Sequence, residues 1–470
     1  MVHFSTCRFA TTMVSCLSAP SFASAPVAVD AKGIVATSAI AAGTVLFQEK
    51  ALVASCFGNM DMDEGHDSDC DDEECGGCIE VDDDDDVKEE LTEDELDSVS
   101  PAVVANFDKY MAFCETHDVL SMVDIRKNLV KLFHHFTSDA STLDVVSNLS
   151  VISDDVTSCL DTALALRKDL SEIIPGGLSD ADVAHFIGVL HNHSQALEEI
   201  DGSGLFQYVS KLSHSCLPNV NLTVDGTTIW ATAIKPIAIG EPLTVDLMDV
   251  FYSASNDRAE ALATEEIHCT CGYCTGAIPD FARAFKCKDT ACDGIVHPTA
   301  EKYACTACHA AWSDEQAEQV EALDMPLIVA LEAASTFAEY DAIIAASPLH
   351  KYHHVCYMAL ENLSASWSED DDDEIEVVCR RMLECINYVV PYPHEEKTQH
   401  YDNLAQALIS NGNVNGATEA YERAYEMSCL CSGAEYEKSV FYKKLVENTP
   451  ATREEWMVAY GLDGDDDDEE

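Results

Sequence analysis

Basic residues are scarce in this chain: 26 Lys and Arg stand against 86 Asp and Glu in 470 residues, for a formal charge of −60. An acidic surface of that strength repels a phosphate backbone at a distance. It therefore argues against direct nucleic-acid binding as the main task and favours encounters with basic proteins. Long apolar runs are missing too. Nowhere do about 18 consecutive apolar residues occur, so no membrane-spanning helix is expected. No basic cluster of the nuclear-import kind is present, and cytoplasm and nucleus both stay open. The N-terminal stretch ends in Ala23-Ser24-Ala25, which resembles a cleavage site, but Thr11, Thr12, Ser15 and Ser18 interrupt its apolar run. A signal or transit peptide is the alternative; the expectation is an N-terminal extension on a soluble intracellular protein.

What is present is a large apolar fraction, 47%, over a length that suggests two to four structural units with a sizeable core. Much of the charge is local. The windows 61–97, 369–376 and 463–470 hold 35 of the acids; with these and Lys88 set aside, 51 acids and 25 bases remain, a balance of −26. The folded part is expected to be acidic as well. Cysteine is abundant, at 21 residues. It admits two readings, disulfides in an oxidising compartment or thiolates on metal in a reducing one. Spacing separates them. Cys269, Cys271 and Cys274 read CxCxxC, and Cys287, Cys292, Cys305 and Cys308 read Cx4C followed by CxxC, which is metal-ligand spacing.

Along the chain, Ala28 to Ala54 predicts two strands around Gly33 and Gly43. The acid-rich stretch from Asp61 to Asp97 is expected to be a disordered insert, because it has too little apolar surface to offset ordering. Helical periodicity runs from Pro101 to about Ile200, carried by Val104, Phe107 and Met111, by Leu129, Leu132, Phe133 and Phe136, and by Leu160, Leu164 and Leu166. Strands return at Val220 to Val224, Thr228 to Ala233 and Leu243 to Leu247, with Asp225-Gly226 as a hairpin turn. From Glu315 to Trp456 helices are expected again. Asn403–Ser410, the turn at Asn411-Gly412-Asn413 and Ala417–Met427 form one helical hairpin, and Leu404, Leu408, Ala417, Ala420, Tyr421 and Ala424 resemble a tetratricopeptide-type unit.

The most specific run is Ser213-His214-Ser215-Cys216-Leu217-Pro218-Asn219, followed by Ile234 to Glu241 as I-K-P-I-A-I-G-E and then by the CxCxxC. Upstream stand Lys32-Gly33-Ile34-Val35-Ala36 and Ile40-Ala41-Ala42-Gly43. In this order they resemble the SET domain of protein lysine methyltransferases, with its N-H-S-C-x-P-N, I-x-x-G-E-E-L-T and post-SET CxCxxC motifs. The long insert and helical C-terminal region resemble the SET-and-MYND branch, as do Leu349-His350 to Ala359 and Pro391-Tyr392-Pro393-His394 to Leu408. The resemblance implies an α+β fold: a SET-domain β-fold with a helical insert and post-SET zinc site, a zinc-ribbon-like segment and an α-helical, tetratricopeptide-like C-terminal domain. The implied boundaries are an N-terminal extension (1–24), SET N-terminal strands (25–57), the acidic insert (58–100) and the helical insert (101–200). After these come the SET C-terminal core (201–260), post-SET segment (261–280), zinc ribbon (281–312), C-terminal domain (313–456) and acidic tail (457–470).

Three thiolates do not close a tetrahedral structural zinc site, which takes four ligands. The resemblance supplies Cys216 as the fourth beside Cys269, Cys271 and Cys274. Cys287, Cys292, Cys305 and Cys308 form a second, ribbon-type site; the alternative for both sets is reduced cysteines packed in a core. Two structural zincs are expected. A third cluster, Cys70, Cys75 and Cys78 with His66 and Cys56 nearby, stands where relatives carry the MYND module, which needs eight ligands. The MYND is read as lost or degenerate, with either an acidic loop or one zinc at this place.

The resemblance also implies S-adenosylmethionine as cofactor, with the backbone around Lys32 and Gly33 lining it and Ser213 and His214 making polar contacts. Asn192 matches an upstream asparagine that contacts cofactor in this branch; its plainer reading is a helix-end polar residue. The pattern is broken in places. Ser213 replaces an asparagine, Glu265 and Ile267 stand where two aromatic residues usually precede the CxCxxC, and Leu247 occupies the place of the catalytic tyrosine. Tyr252, five residues on, is either a substitute hydroxyl or a packed tyrosine. Two functions follow: a protein-lysine N-methyltransferase acting on a basic protein, histone or not, or a catalytically silent SET-fold scaffold that binds such proteins. An acidic chaperone of histones rests on the charge runs alone, and such runs are usually solvated.

Overall fold

A computed structural model of the chain describes residues 22–30, 33–56, 91–152, 155–299, 303–365 and 372–462. Lys32, His66, Cys70, Cys75, Cys78, most of the acidic insert and the end of the acidic tail lie outside the described residues, as do the expectations placed on them.

The described chain opens with strands β1 (Val27–Asp30), β2 (Gly33–Ala36), β3 (Thr44–Lys50) and β4 (Val53–Cys56). Helices α1 (Glu93–Leu96), α2 (Pro101–Cys114), α3 (Val123–Ser138), α4 (Ser141–Val146), α5 (Asp155–Asp169) and α6 (Asp180–His193) follow. Then come β5 (Ser194–Leu197), β6 (Gly202–Leu205), β7 (Ser213–His214), β8 (Val220–Asp225), β9 (Thr228–Ala233) and β10 (Thr244–Val245), and helix α7 (Ser255–Thr264). Strands β11 (Phe285–Lys286), β12 (Ile295–Pro298) and β13 (Tyr303–Cys305) precede the C-terminal helices. These are α8 (Asp314–Glu321), α9 (Asp324–Glu332), α10 (Phe337–Ala346), α11 (His354–Ala365), α12 (Asp372–Val389), α13 (Glu395–Ser410), α14 (Val414–Ser432), α15 (Glu437–Glu447) and α16 (Arg453–Tyr460). The fold is mixed α+β. The stretch read as two strands, Ala28 to Ala54, holds four, with residues 37–43 between β2 and β3 and residues 51–52 between β3 and β4.

Two compact units result, one of Met1–Gln48, Leu212–Thr223 and Trp230–Glu470, the other of Glu49–Lys211 and Val224–Ile229. In the second unit β4, β6 and β5 form an antiparallel sheet in that order, with Val53 and Ser194 both opposite Leu205. Its apolar core draws Phe107, Tyr110 and Met111 from α2, Leu129, Leu132 and Phe133 from α3, and Phe186, Ile187 and Leu190 from α6. Helix α2 starts where it does because the Ser100 hydroxyl accepts the Val103 N–H at 3.3 Å and Pro101 takes the first turn.

Helix α3 also buries charge. Glu95 sits between Lys127, at 3.3 Å, and Lys131, at 2.8 Å, all three nearly without solvent exposure. This corrects the expectation of disorder through Asp97. Glu95 closes a capping box with Thr92 at the start of α1 and meets two cations more than 30 residues away. Those partners hold its carboxyl below the ordinary glutamate value although burial alone would raise it.

Gly202 of β6 is fixed by a close approach. A Cβ there would land on the Ser55 carbonyl and stand 2.6 Å from the Cys56 Cα. Gly202→Ala is expected to destabilise the chain by about 3 kcal/mol or more, since backbone must move. Gly176→Ala, whose Cβ would meet nothing within 4 Å, is the neutral companion. Urea unfolding of both variants checks this: equal midpoints would contradict the packing of β6 on β4.

In the first unit β3, β9 and β8 make one sheet in that order. Strand β2 and the residues after it run antiparallel to 237–243, through Val35 opposite Pro242 and Ile40 opposite Ile237. Backbone bonds Ala36 N–H to Glu241 O (3.0 Å) and Leu243 N–H to Ile34 O (2.8 Å) complete the pairing. The C-terminal hairpin of α13 and α14 packs Leu404, Ala405 and Leu408 against Ala417, Ala420, Tyr421 and Ala424, and the small alanines let the helices approach closely around the buried Tyr421. Gly412, at φ 73°, makes the turn, and the Asn413 carboxamide caps α14 through the Gly416 N–H at 3.1 Å. Two acids of the 369–376 window in α12 have partners as well: Glu374 accepts the Phe337 N–H and Glu376 pairs with Arg380.

Candidate active site and metal centres

The site is built in the first unit from two segments distant in sequence. Strand β7 lies parallel to β10, with Ser213 beside Thr244 and His214 beside Val245. Asn219 joins them. Buried at 3% exposure, it accepts the Thr244 N–H at 2.8 Å through its side chain and donates to Pro242 O (2.9 Å) and Glu241 (3.1 Å). Its backbone N–H reaches Thr244 O and its carbonyl takes the Ile234 N–H, both at 3.0 Å. A buried amide needs this full set of partners. The sequence placed Asn219 in a motif without giving it a role; here it is the residue that holds the two halves in register. Gly33, at φ 107°, opens β2 in a conformation that favours glycine, next to the stretch leading into β10.

The cysteines fall in two sets of four. Within each set, Cys216, Cys269, Cys271 and Cys274, and Cys287, Cys292, Cys305 and Cys308, the sulfurs all lie within 4.8 Å of one another. Cys216 Sγ is 3.9 Å from Cys269 and 3.6 Å from Cys274; Cys287 is 3.6 Å from Cys308, and Cys292 is 3.7 Å from Cys305. A tetrahedron with Zn–S near 2.3 Å sets its sulfurs about 3.8 Å apart, whereas a disulfide needs about 2.05 Å. Both donor sets therefore fit zinc and neither is oxidised. Electrostatics agrees. A hydrogen bond from Cys216 draws the Cys271 thiol down to about 4, while the Cys216 thiol is pushed up by that bond, by burial and by its neighbours' charge. A divalent cation resolves that mutual repulsion. In the ribbon, Gly294 makes room for the Cys305 sulfur, and Tyr303 stacks on Trp312 beside the buried Phe285.

Around the first cysteine set stand the other residues singled out by sequence. The His214 side chain is 1% exposed, and burial lowers its imidazole below the usual value. Its Nδ1 accepts the Leu247 N–H at 3.1 Å and its Nε2 faces Cys216 Sγ at 3.4 Å. Asp246 accepts the N–H groups of Met248 (3.2 Å) and Val250 (3.0 Å), and burial pushes its carboxyl up to about 6. The Leu247 side chain is 38% exposed. Ser213 is half-buried at the head of β7. Ile267 packs beside the first cysteine set with Leu262 and Val250, and Glu265 ends α7. From the C-terminal region, the Tyr392 hydroxyl donates to Cys216 O at 3.4 Å and the Tyr273 hydroxyl to Val389 O at 3.3 Å.

Tyr252 and Asn192 both have partners within the fold. Tyr252 is buried, stacked on Tyr357 at 4.1 Å, and its hydroxyl donates to Tyr352 O at 3.2 Å. A partner 100 residues away, invisible to local pattern, gives it the packed role. Asn192 lies in the second unit, where its side chain accepts the Ile152 N–H at 2.9 Å and donates to Asp155 at 3.1 Å, tying the end of α6 to the loop before α5.

Strands β7 and β10 pair beside the stretch that β2 bridges at Val35 and Pro242, and residues 31–247 match the SET domain family. Within that class the chain is SMYD-like. It is 25% identical over 159 residues to mouse histone-lysine N-methyltransferase SMYD3, covering 31% of this chain and 37% of that one. To the human SMYD3 it is 30% identical over 73 residues (16% and 17%), and to human N-lysine methyltransferase SMYD2 34% over 83 residues (17% and 19%). The matches thus span well under half the length of these relatives. Among the described residues no helix is long and apolar enough to cross a membrane.

Proposed function

We propose that this chain is an S-adenosylmethionine-dependent protein-lysine N-methyltransferase acting on a basic protein inside the cell, in cytoplasm, nucleus or both. The observation that carries the reading is the Asn219-centred junction of β7 and β10, which brings Gly33, Ser213, His214 and Leu247 into one unit. Gly33 and Ser213, with Lys32, are the residues proposed to hold the cofactor. His214 is proposed to do so through its backbone, since its ring nitrogens have partners. When bound, the cofactor supplies an electrophilic methyl group. The protein's part is to present a neutral lysine amine in line with it, against an ordinary pKa near 10.4.

A basic partner is supported by the carboxylates of the first unit. Burial raises Glu361 to about 7, and the charges of Glu396 and Asp249 add to the rise. A cation brought near them relieves that repulsion. The free thiols and thiolate-type metal sites suit a reducing compartment.

Leu247 favours a second reading, a SET-fold scaffold that binds basic proteins without methylating them, because leucine offers no hydroxyl to orient an amine. Titration calorimetry with S-adenosylmethionine tests the first reading and is expected to show one site per chain. Absence of binding removes the enzyme. Binding with no methyl transfer to histones or other basic proteins leaves the scaffold.

A further inference from the structure

We propose that His214 is a positioning residue whose ring bridges the Cys216–Cys269–Cys271–Cys274 metal site and the backbone of position 247, holding the metal through an N–H···S bond. The inference rests on reading that cysteine set as a zinc site. It starts from the two ends of one imidazole. Nδ1 takes the Leu247 N–H at 3.1 Å, so in that ring the proton must sit on Nε2. Nε2 stands 3.4 Å from Cys216 Sγ, within range of an N–H···S hydrogen bond. The ring has almost no contact with solvent, so water does not compete for either end. Asp246 comes within 3.7 Å of Nδ1, too far to bond it, and its two oxygens already accept from Met248 and Val250.

A donor to a zinc-bound thiolate draws negative charge off the sulfur and fixes its direction, and removal of such outer partners commonly costs ten- to a hundredfold in metal affinity. The same ring pins the N–H of the residue that occupies the catalytic tyrosine's place. Metal site and position 247 are therefore joined through one side chain, and loosening the first displaces the second.

Two substitutions separate the ends of the ring. His214→Gln places an amide N–H where Nε2 stands and keeps the bond to Cys216. His214→Asn places its amide near Nδ1, keeps a partner for Leu247 and loses the sulfur bond. The measurement is zinc release to a competing chelator from the purified full chain, which holds two zincs on this reading. The Cys287–Cys292–Cys305–Cys308 site, far along the chain from residue 214, serves as internal reference and as a check that each variant is folded. The expected result is one of two release phases accelerated ten- to a hundredfold in His214→Asn, with both phases near wild type in His214→Gln. A ring that only fills space gives equal changes in both variants, and that result overturns the proposal. A Cys271→Ser chain that keeps the full zinc content of wild type instead removes the metal reading on which it rests, and the two failures are told apart before any His214 variant is made.

Discussion

Replacing Cys271 with Ser is expected to reduce the zinc content of the folded chain from two equivalents to one and to lower the apparent melting temperature of the first unit by about 10 °C or more. The size follows from what else holds the segment after α7. Residues 267–280 contain little that is apolar: Ile267 packs on Leu262, Ile278 covers Gly272, and Tyr273 lies under Arg258 at 5.2 Å. Hydrogen bonds at its ends, from Ser255 to Asp280 (2.8 Å) and from Tyr273 to Val389, do not replace a metal linking it to Cys216. Structural zinc sites contribute about 10–16 kcal/mol of binding in small peptides, and a site left with three thiolates forfeits much of that. A loss of even 3–4 kcal/mol in a unit of this size corresponds to a shift of about 10 °C. The ribbon provides the contrast. Cys308→Ser also removes one zinc, but Phe285, Tyr303 and Trp312 remain packed with Leu349 and Tyr340, so a smaller shift is expected there. Metal analysis with thermal unfolding decides it: two zincs and an unchanged transition in Cys271→Ser would remove the post-SET site.

What the sequence made legible, and what it hid, follows from the reach of each interaction. Metal spacing is local, so CxCxxC and the ribbon cysteines could be read directly; Cys216, more than 50 residues upstream, needed the family pattern. Helical periodicity is local too, and most residues marked in α2, α3, α13 and α14 lie in the two helical cores, whereas Val104 of α2 and Leu160 and Leu164 of α5 are exposed. Charge is not. The acids near 61–97 look alike in sequence, yet Glu95 is buried because α3 carries Lys127 and Lys131 on one face, four residues apart. The partners of Tyr252 and Asn192 were hidden for the same reason, since Tyr352 in one case and Ile152 with Asp155 in the other meet them only in the folded chain. Asn219 and His214 were both visible as motif letters. Their bonds across β7 and β10 were not, because a parallel pairing of segments about 30 residues apart leaves no periodic signal.

Leu247→Tyr is expected to raise methyl transfer to a basic protein by about a hundredfold or more while leaving S-adenosylmethionine affinity within about twofold. The backbone at this position is already fixed: Leu247 follows β10 directly, its N–H is held by His214, and the side chain is exposed enough to be lengthened without displacing the core. What leucine lacks is an oxygen. A positioned hydroxyl that orients the incoming amine and assists loss of its proton contributes in the range of about 10²–10⁴, and a hundredfold corresponds to about 2.7 kcal/mol of barrier. Because the hydroxyl acts on the amine and not on the sulfonium, the gain belongs in kcat and not in cofactor binding. Leu247→Phe separates ring from oxygen and is expected to leave the rate at the wild-type level. If the tyrosine variant binds cofactor yet is no faster than the phenylalanine one, the missing hydroxyl is not what limits this protein. Substitutions elsewhere, at Ser213, Glu265 and Ile267, would then have removed the lysine channel itself, and the acidic first unit would be left with binding as its whole task.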